Sequence, residues 1–311
     1  MDFSTGFLGG MLGGAVGDAL GELAFRYPRQ ADFDVAVEER ETLIYTDDTA
    51  MALALAGVLI DTGSVDSEQL GDAFRTEFER EPWRGYGPGP PAIFAAVAHG
   101  MMPYERAAQT LYGGHGSLGN GAAMRIAPLG LFFFDCKRLY EKAERSARVT
   151  HTHRVGVDGA AVQAQAVALA TTHEPGRDFD PAKFIEALVG FARTPEIRHK
   201  LEQVAALLVE NVAPAQAAQR LGLSIAVHES MPFSLYSFLR HPGSFQDCLY
   251  CAIFNGGDRD TMGAMAGAIS GAYLGTGAVP AVWRQKLENR EHIESLAQRL
   301  WDRRKRERHM L

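Results

Sequence analysis

Cysteine is scarce in this 311-residue chain. Cys136, Cys248 and Cys251 are too few for a disulfide framework, so the core must hold the fold, and a reducing, cytoplasmic location is expected. Cys248 and Cys251 have CxxC spacing, but no second pair completes a zinc site, and their setting "CLYCAIF" reads as helical core. Positive charge is also short. A formal net charge of −7 speaks against non-specific binding to nucleic acid or an anionic membrane. The apolar N-terminus lacks the basic start of an export signal and is interrupted by Asp18, so neither a leader nor a membrane span is expected. Alternating β-type stretches are scarce, and no repeat occurs at solenoid periods.

What is there is helix. Apolar and alanine-rich runs recur at Ala50–Ile60, Gln69–Phe78, Ala92–Ala98, Val155–Ala170, Phe184–Ala192, Leu201–Val209 and Thr261–Leu274, which predicts an all-α fold. Glycine- and proline-rich breakers separate them at Glu81–Pro91, Tyr112–Gly121, Thr172–Pro181 and Gly275–Pro280. None is long enough for an interdomain linker, so one domain over residues 1–311 is expected. From Trp283 onward the charge-laced sequence reads as one amphipathic helix, whose basic end "DRRKRER" suits the negative end of a helix dipole.

The segment "LIYTDDTAMALALAGVL" sets Asp47 and Asp48 side by side ahead of an apolar run. Neighbouring carboxylates repel and lose hydration on burial, so something must compensate. Helix capping by Thr46 or Asp47 is one answer and a cation is the other. A second stretch, "NGGDRDTMGAMAGAISGAYLG", repeats the grammar with Asp258, Asp260 and Thr261. Two helix starts thus carry four aspartates and two threonines, more oxygen than capping needs. If the starts meet, four carboxylates converge, and two divalent ions would balance them. An all-oxygen donor set indicates Mg²⁺ or Mn²⁺ rather than zinc.

Gly263, Gly267, Gly271 and Gly275 fall at every fourth residue and leave a bare helix face, for which the small-residue stripe Gly6, Gly10, Gly14 and Ala15 is the expected partner. Asp18 then ends near the site, as an outer acceptor or a further site carboxylate.

The stretch "GGHGSLGNGAAMRIAPLGL" matches GxGxxG formally, but no β-type run precedes it, which argues against a Rossmann turn. Its glycines before a helical segment can offer backbone N–H groups to a phosphate or diphosphate, with Ser117 and Asn120 as added donors; the alternative is a flexible surface loop. His151 and His153, at i and i+2, do not share a helix face. A substrate-orienting role falls to His151, and a structural or exposed one to His153. "RGYGPG", Arg84 to Gly89, either covers a ligand or is only a turn.

Together these segments resemble the ADP-ribosylglycohydrolase family, which includes the serine-type ADP-ribosylhydrolases and the dinitrogenase reductase-activating glycohydrolase. The resemblance is strongest over residues 6 to 280, with 281–311 left as a C-terminal charged helix, and it rests above all on the paired TDDT and GGDxDT motifs. It implies an all-α, single-domain bundle with a binuclear Mg²⁺ or Mn²⁺ centre. Thr46, Asp47, Asp48, Asp258, Asp260 and Thr261 are the implied metal ligands, with Asp260 bridging, and Asp47, Asp48 and Asp260 the implied catalytic carboxylates. Gly116, Ser117, Leu118, Gly119 and Asn120 match the loop that holds the diphosphate. Gly85 and Tyr86 match the loop near the terminal ribose, His151 a diphosphate- or ribose-side histidine, and Tyr112 an adenine-side aromatic.

The implied activity is hydrolysis of the glycosidic bond of an ADP-ribosyl group. The implied partner is an ADP-ribose-containing small molecule or an ADP-ribosylated protein, handled by a monomer. Gly-Ser-Leu-Gly-Asn is similar to the branch acting on O-linked ADP-ribose, such as ADP-ribosylserine or O-acetyl-ADP-ribose, and Thr-His-Thr-His to the arginine-directed branch; the O-linked branch is expected. One position departs from the family. The serine-type enzymes carry a catalytic glutamate four residues past the second glycine of GDxxG, where this chain has Phe25. Either Glu22, Glu38, Glu39 or Glu41 supplies the missing carboxylate, or catalysis rests on metal-bound water and the aspartates. Two other readings stand beside it: a protein that binds ADP-ribose without cleaving it, for which Phe25 speaks, and a structural descendant that keeps the bundle and takes up no metal.

Overall fold

A computed structural model describes residues 3–100, 102–176 and 179–310, with helices in unbroken succession. The first six are α1 (Ser4–Arg26), α2 (Gln30–Glu39), α3 (Asp47–Thr62), α4 (Ser67–Arg80), α5 (Gly89–Ala98) and α6 (Tyr104–Gly114). Next come α7 (Gly121–Met124), α8 (Ala127–Phe132), α9 (Leu139–Arg148), α10 (Arg154–Thr172), α11 (Pro181–Phe191) and α12 (Pro195–Val209). The last six are α13 (Pro214–Leu221), α14 (Val227–Arg240), α15 (Phe245–Ile253), α16 (Arg259–Leu274), α17 (Ala281–Lys286) and α18 (Arg290–Met310). Among the described residues the only β pairings are two isolated bridges, Leu43 with Leu287 and Gly119 with Ala226. The all-α expectation therefore holds. Residues 177 and 178 of the breaker at Thr172–Pro181 lie outside the described residues.

Local chemistry starts many of these helices. Asp66, Asp180, Thr194 and Ser244 each accept an N–H from the first turn of the helix they precede, and Pro181, Pro195 and Pro214 open α11, α12 and α13. A buried aspartate, Asp158, ties three elements together: it accepts Tyr140 Oη–H, the Arg193 N–H, and both the N–H and hydroxyl of Thr194. With its oxygens so used, Asp158 is a structural carboxylate.

The antiparallel pair of α1 and α16 forms the axis. A Cβ added at Gly9, Gly13 or Gly17 would lie 2.1, 2.4 or 2.0 Å from the carbonyl oxygen of Gly271, Gly267 or Gly263. The two backbones touch, and no side chain fits between them. Each of these glycines costs about 1 kcal/mol of helix propensity relative to alanine, which the close packing of α1 on α16 offsets. The expected partner stripe was Gly6, Gly10, Gly14 and Ala15; the stripe that meets α16 backbone to backbone is Gly9, Gly13, Gly17 and Gly21. Both series repeat every four residues, and the intervening packing decides between them. Added Cβ atoms on Gly10 and Gly14 would meet side chains first, Leu131 at 3.2 Å and Ala268 Cβ at 3.5 Å, and the one on Gly6 would lie 3.0 Å from Ala272 O, farther than in the Gly9 series. At the end of the stripe, a Cβ on Gly21 would lie 2.5 Å from Asp260 Cα, so the close of α1 abuts the start of α16.

Two other expectations change. The C-terminal stretch is not one helix: it breaks between α17 and α18, with Asn289 in the left-handed region at φ 52°. The break lets Leu43 N–H donate to Lys286 O and Glu288 N–H donate to Leu43 O, a tertiary demand invisible in helical periodicity. Cys248 and Cys251 lie buried in α15, where burial pushes both thiols up, Cys251 to about 11. They are inert core, as their apolar setting indicates.

Candidate active site

The starts of α3 and α16 meet, and α1 supplies the acceptor that fixes one of them. Asp18, fully buried on α1, accepts the N–H and hydroxyl of Thr46 at 3.0 and 2.8 Å and the N–H and hydroxyl of Thr49 at 3.0 and 2.6 Å. Asp18 is thus an outer acceptor that orients the TDDT turn. Thr46 is the N-cap of α3, its Oγ1 accepting the Asp48 N–H at 3.3 Å. Capping and a carboxylate cluster are both present at this helix. Asp258 occupies the N-cap position of α16 but makes no side-chain cap bond there; it accepts from Asn120 Nδ2 at 2.6 Å instead.

Asp47, Asp48 and Asp260 are buried or nearly so, and they raise one another's affinity for protons. Burial first, then the charges of Asp18 and Asp258, pushes Asp47 up to about 7. Burial, then Asp18 and Asp260, holds Asp48 well above the ordinary carboxylate range. Burial, then Asp258 and Asp18, does the same for Asp260. Asp18 itself is lifted to about 6 by burial, against the four hydrogen bonds it accepts. Asp48 Oδ1 and Asp260 Oδ1 are buried without a hydrogen-bond partner. Two orphaned carboxylate oxygens in an all-oxygen cluster fit hard divalent cations. Among the described residues, however, no three His, Cys, Asp or Glu side chains gather closely enough to hold an ion unaided. Threonine hydroxyls, backbone carbonyls and water would complete the coordination, as is usual for Mg²⁺.

A fully buried cation, Arg125, stands beside the cluster in the wall of the same cavity. Its guanidinium stacks 4.4 Å over the Phe74 ring and donates to Thr150 Oγ1 at 2.7 Å. Among the described residues it pairs with no carboxylate, and burial pulls it down to about 9, with the charge of Asp47 opposing. Its partner Thr150 lies 2.7 Å from His151 Nδ1. We assign the Thr150 hydroxyl as the donor to Nδ1, which places the ring proton of His151 on Nε2. Burial drives His151 down to about 3, so it is a neutral donor. Gly119 and Gly121 leave room for that ring: a Cβ on Gly121 would lie 2.9 Å from His151 Cε1.

A cavity of about 200 Å³ opens over these groups, lined by Asp47, Asp48, Asp258, Asp260 and Thr261 on one side and by Ser117, Gly119, Asn120 and His151 on the other. Tyr112, left-handed at φ 52° and 61% exposed, stands at its edge. A second cavity of about 650 Å³ adjoins it, with Gly85 and Asp260 in the wall of both. Thr46 and Glu22 line this larger cavity.

Some expected residues lie elsewhere. The Tyr86 ring packs edge-on against Phe78, 5.1 Å between centroids, and lines neither cavity. Gly116 faces Thr152 and lines neither cavity, and Leu118 is absent from both walls. His153 caps α10 by accepting the Val155 N–H, the structural role expected of it. The helix after the glycine loop is the single turn α7, and the amides of Gly116, Gly119 and Asn120 donate to Leu111 O, Ser117 Oγ and Ile225 O. The loop thus has fewer free donors than its glycines suggested. Phe25 is exposed in the wall of the larger cavity, and of the four candidate replacements Glu22 alone lines a cavity.

Sequence reasoning missed Arg125, Arg84 and Trp83. A signal existed for the first, since an arginine inside "AAMRIAPLGL" must be buried with a purpose.

Known proteins bear on this arrangement. The pattern of the ADP-ribosylglycohydrolase family matches residues 2–309. ADP-ribosylhydrolase ARH3 of Mus musculus is 35% identical over 291 residues, covering 84% of this chain and 77% of its own, and that of Homo sapiens is 34% identical over 293 residues, covering 85% and 80%. A solved structure titled ADP-ribosylglycohydrolase-related protein complex superposes with a TM-score of 0.75 at 27% identity, covering 97% of this chain and 99% of that one. No helix among the described residues is long and apolar enough to cross a membrane. With its motifs, helical architecture and full-length match in agreement, the chain belongs to the ADP-ribosylglycohydrolase family of enzymes.

Proposed function

We propose that this protein hydrolyses the O-glycosidic bond between ADP-ribose and its carrier, as in ADP-ribosylserine or O-acetyl-ADP-ribose, releasing free ADP-ribose. One observation carries the reading: Asp48 and Asp260, each with an orphaned buried carboxylate oxygen, line the small cavity, and Asp260 stands also in the wall of the larger one beside it. A glycosidic bond lying across that wall would have its sugar on one side and its leaving group on the other.

Thr46, Asp47, Asp48, Asp258, Asp260 and Thr261 would hold two Mg²⁺ or Mn²⁺ ions, which when bound neutralise the cluster and supply Lewis acidity toward the ribose diol and water. The chain's own groups do the rest. His151 Nε2–H and Ser117 bind the ribose–phosphate end by donating to its oxygens. The 200 Å³ cavity is below the usual range of roughly 300–1,000 Å³ for small-molecule sites, so it encloses that end only, with the adenine over exposed Tyr112. Water adds to the anomeric carbon as the C–O bond to the carrier breaks. The surrounding carboxylates stabilise the oxocarbenium-like transition state, and one of them takes the proton of the water. We assign protonation of the departing oxygen to Glu22, the cavity-lining carboxylate outside the cluster.

The test is incubation with ADP-ribosylserine and ADP-ribosylarginine peptides in Mg²⁺, Mn²⁺ or EDTA, scored for free ADP-ribose. Release from the serine peptide, abolished by EDTA, is expected. Retention of the ligand without release would make the protein a binder, and release from the arginine peptide alone would assign it to the N-linked branch.

A further inference from the structure

The larger cavity holds a combination of side chains that the hydrolysis itself does not use. Phe25, Ile44 and Trp83 line it at 48%, 47% and 61% exposure, three of nine large hydrophobic side chains left exposed in the described structure. Apolar area gathered in one concavity marks a place where another molecule sits. Trp83 is held in position: its ring lies 4.5 Å from the Arg84 guanidinium, which is fixed in turn by Glu81 and Glu288. Arg26 and Arg40 stand in the same wall, and neither has a carboxylate partner among the described residues.

We propose that this cavity is the leaving-group pocket, and that it selects ADP-ribosylated peptides carrying acidic side chains beside the modified residue. The inference rests on the hydrolase reading above. Two unpaired guanidiniums attract carboxylates, and the aromatic and aliphatic walls take the peptide's side chains and aliphatic stems. The same guanidiniums repel a cationic leaving group, so an arginine-linked substrate is disfavoured at the carrier side of the bond. A nucleotide chain fits less well, because it carries a phosphate at every unit and would set some against Glu22 and Asp260, whereas a peptide can direct its carboxylates to Arg26 and Arg40 and its N–H donors to Glu22 and Asp260.

The experiment measures kcat/KM for free ADP-ribose release from two matched ADP-ribosylserine peptides, one flanked by glutamates and one by lysines. Wild type is compared with the R26E/R40E double variant, and free ADP-ribosylserine and poly(ADP-ribose) complete the substrate set. The ratio of the two peptides within one protein sample cancels any loss of folded enzyme. Wild type is expected to favour the glutamate peptide by about tenfold, two partly exposed ion pairs' worth, and the double variant to invert the preference. Calorimetry of the unmodified glutamate peptide in EDTA should show the same dependence on Arg26 and Arg40. A wild-type ratio near one, or an equal loss on both peptides in the variant, overturns the proposal. Dependence on the two arginines for poly(ADP-ribose) but not for peptides reassigns the pocket to a nucleotide chain. Hydrolysis of free ADP-ribosylserine without any peptide preference removes this inference alone, whereas no release from any substrate removes the hydrolase reading with it.

Discussion

Arg84 and Glu288, 204 residues apart in sequence, form an ion pair at 2.8 Å, and the same Glu288 oxygen accepts the Tyr45 N–H at 2.8 Å. Arg84 closes the arrangement on its other side: its Nη1 donates to Tyr45 O at 2.7 Å, and its carbonyl accepts the Asp47 N–H at 2.9 Å. The turn that enters the carboxylate cluster is therefore latched by a loop residue and by the break between α17 and α18. The C-terminal stretch is part of the scaffold of the site.

Replacing Glu288 by alanine leaves a guanidinium that is 1% exposed with Glu81 as its one carboxylate partner. Because Glu81 and the Tyr45 carbonyl stay on the guanidinium, the loss is that of a charged hydrogen bond, about 2 kcal/mol. Urea unfolding of Glu288→Ala should show a loss of this size, together with a fall in turnover as Asp47 loses its register. A variant as stable as wild type would show that the latch contributes nothing.

The glycine contacts make a sharper contrast. Gly17→Ala drives a Cβ to 2.0 Å from Gly263 O, a backbone atom that cannot step aside, so the protein should fail to fold or lose several kcal/mol. Gly57, inside α3 with nothing within 4 Å of an added Cβ, should gain about 0.5–1 kcal/mol on substitution by alanine. Equal melting temperatures for the two variants would contradict the backbone contact of α1 and α16.

These cases mark how far the sequence could be read. The acidic helix starts were legible because their grammar is local: threonine and aspartate ahead of a small-residue helix. The existence of a close helix pair was legible too, but not its register, since Gly6, Gly10 and Gly14 repeat at the same interval as Gly9, Gly13 and Gly17. The break at Asn289 was illegible because its cause is Leu43 and Tyr45, far away in the chain. Tyr86 carried no mark of which way its ring turns; Phe78, eight residues earlier on α4, decides that.

Asp18 supplies a test of the cluster. Asparagine has the same shape but one acceptor oxygen, so Asp18→Asn forfeits part of the grip on Thr46 and Thr49. Loss of a group that orients ligands typically weakens metal affinity 10–100-fold. Calorimetric titration with Mn²⁺ should show that weakening in Asp18→Asn and near-abolition in Asp48→Asn. Unchanged Mn²⁺ affinity in both variants would rule out a cation role for this cluster.

His151 makes a prediction about pH whose sign can be worked out. Burial lowers its folded value to about 3, while in the unfolded chain it stays near its ordinary 6.5. Below pH 6.5 the unfolded chain takes up a proton that the native protein refuses, so acid disfavours folding until pH approaches 3, where the native ring also protonates. Above 6.5 the two states bind equally and the effect vanishes. At about 1.4 kcal/mol per pH unit, the stability of wild type relative to His151→Gln should fall by about 2 kcal/mol between pH 7 and pH 5. Other titrating groups, including Asp18 and Asp47, are common to both proteins and drop out of the difference where they do not couple to the ring. Chemical denaturation of both proteins across that range gives the difference directly. Parallel curves would mean that the imidazole protonates in the native state, and a neutral Nε2–H donor over the ribose–phosphate end would no longer be tenable.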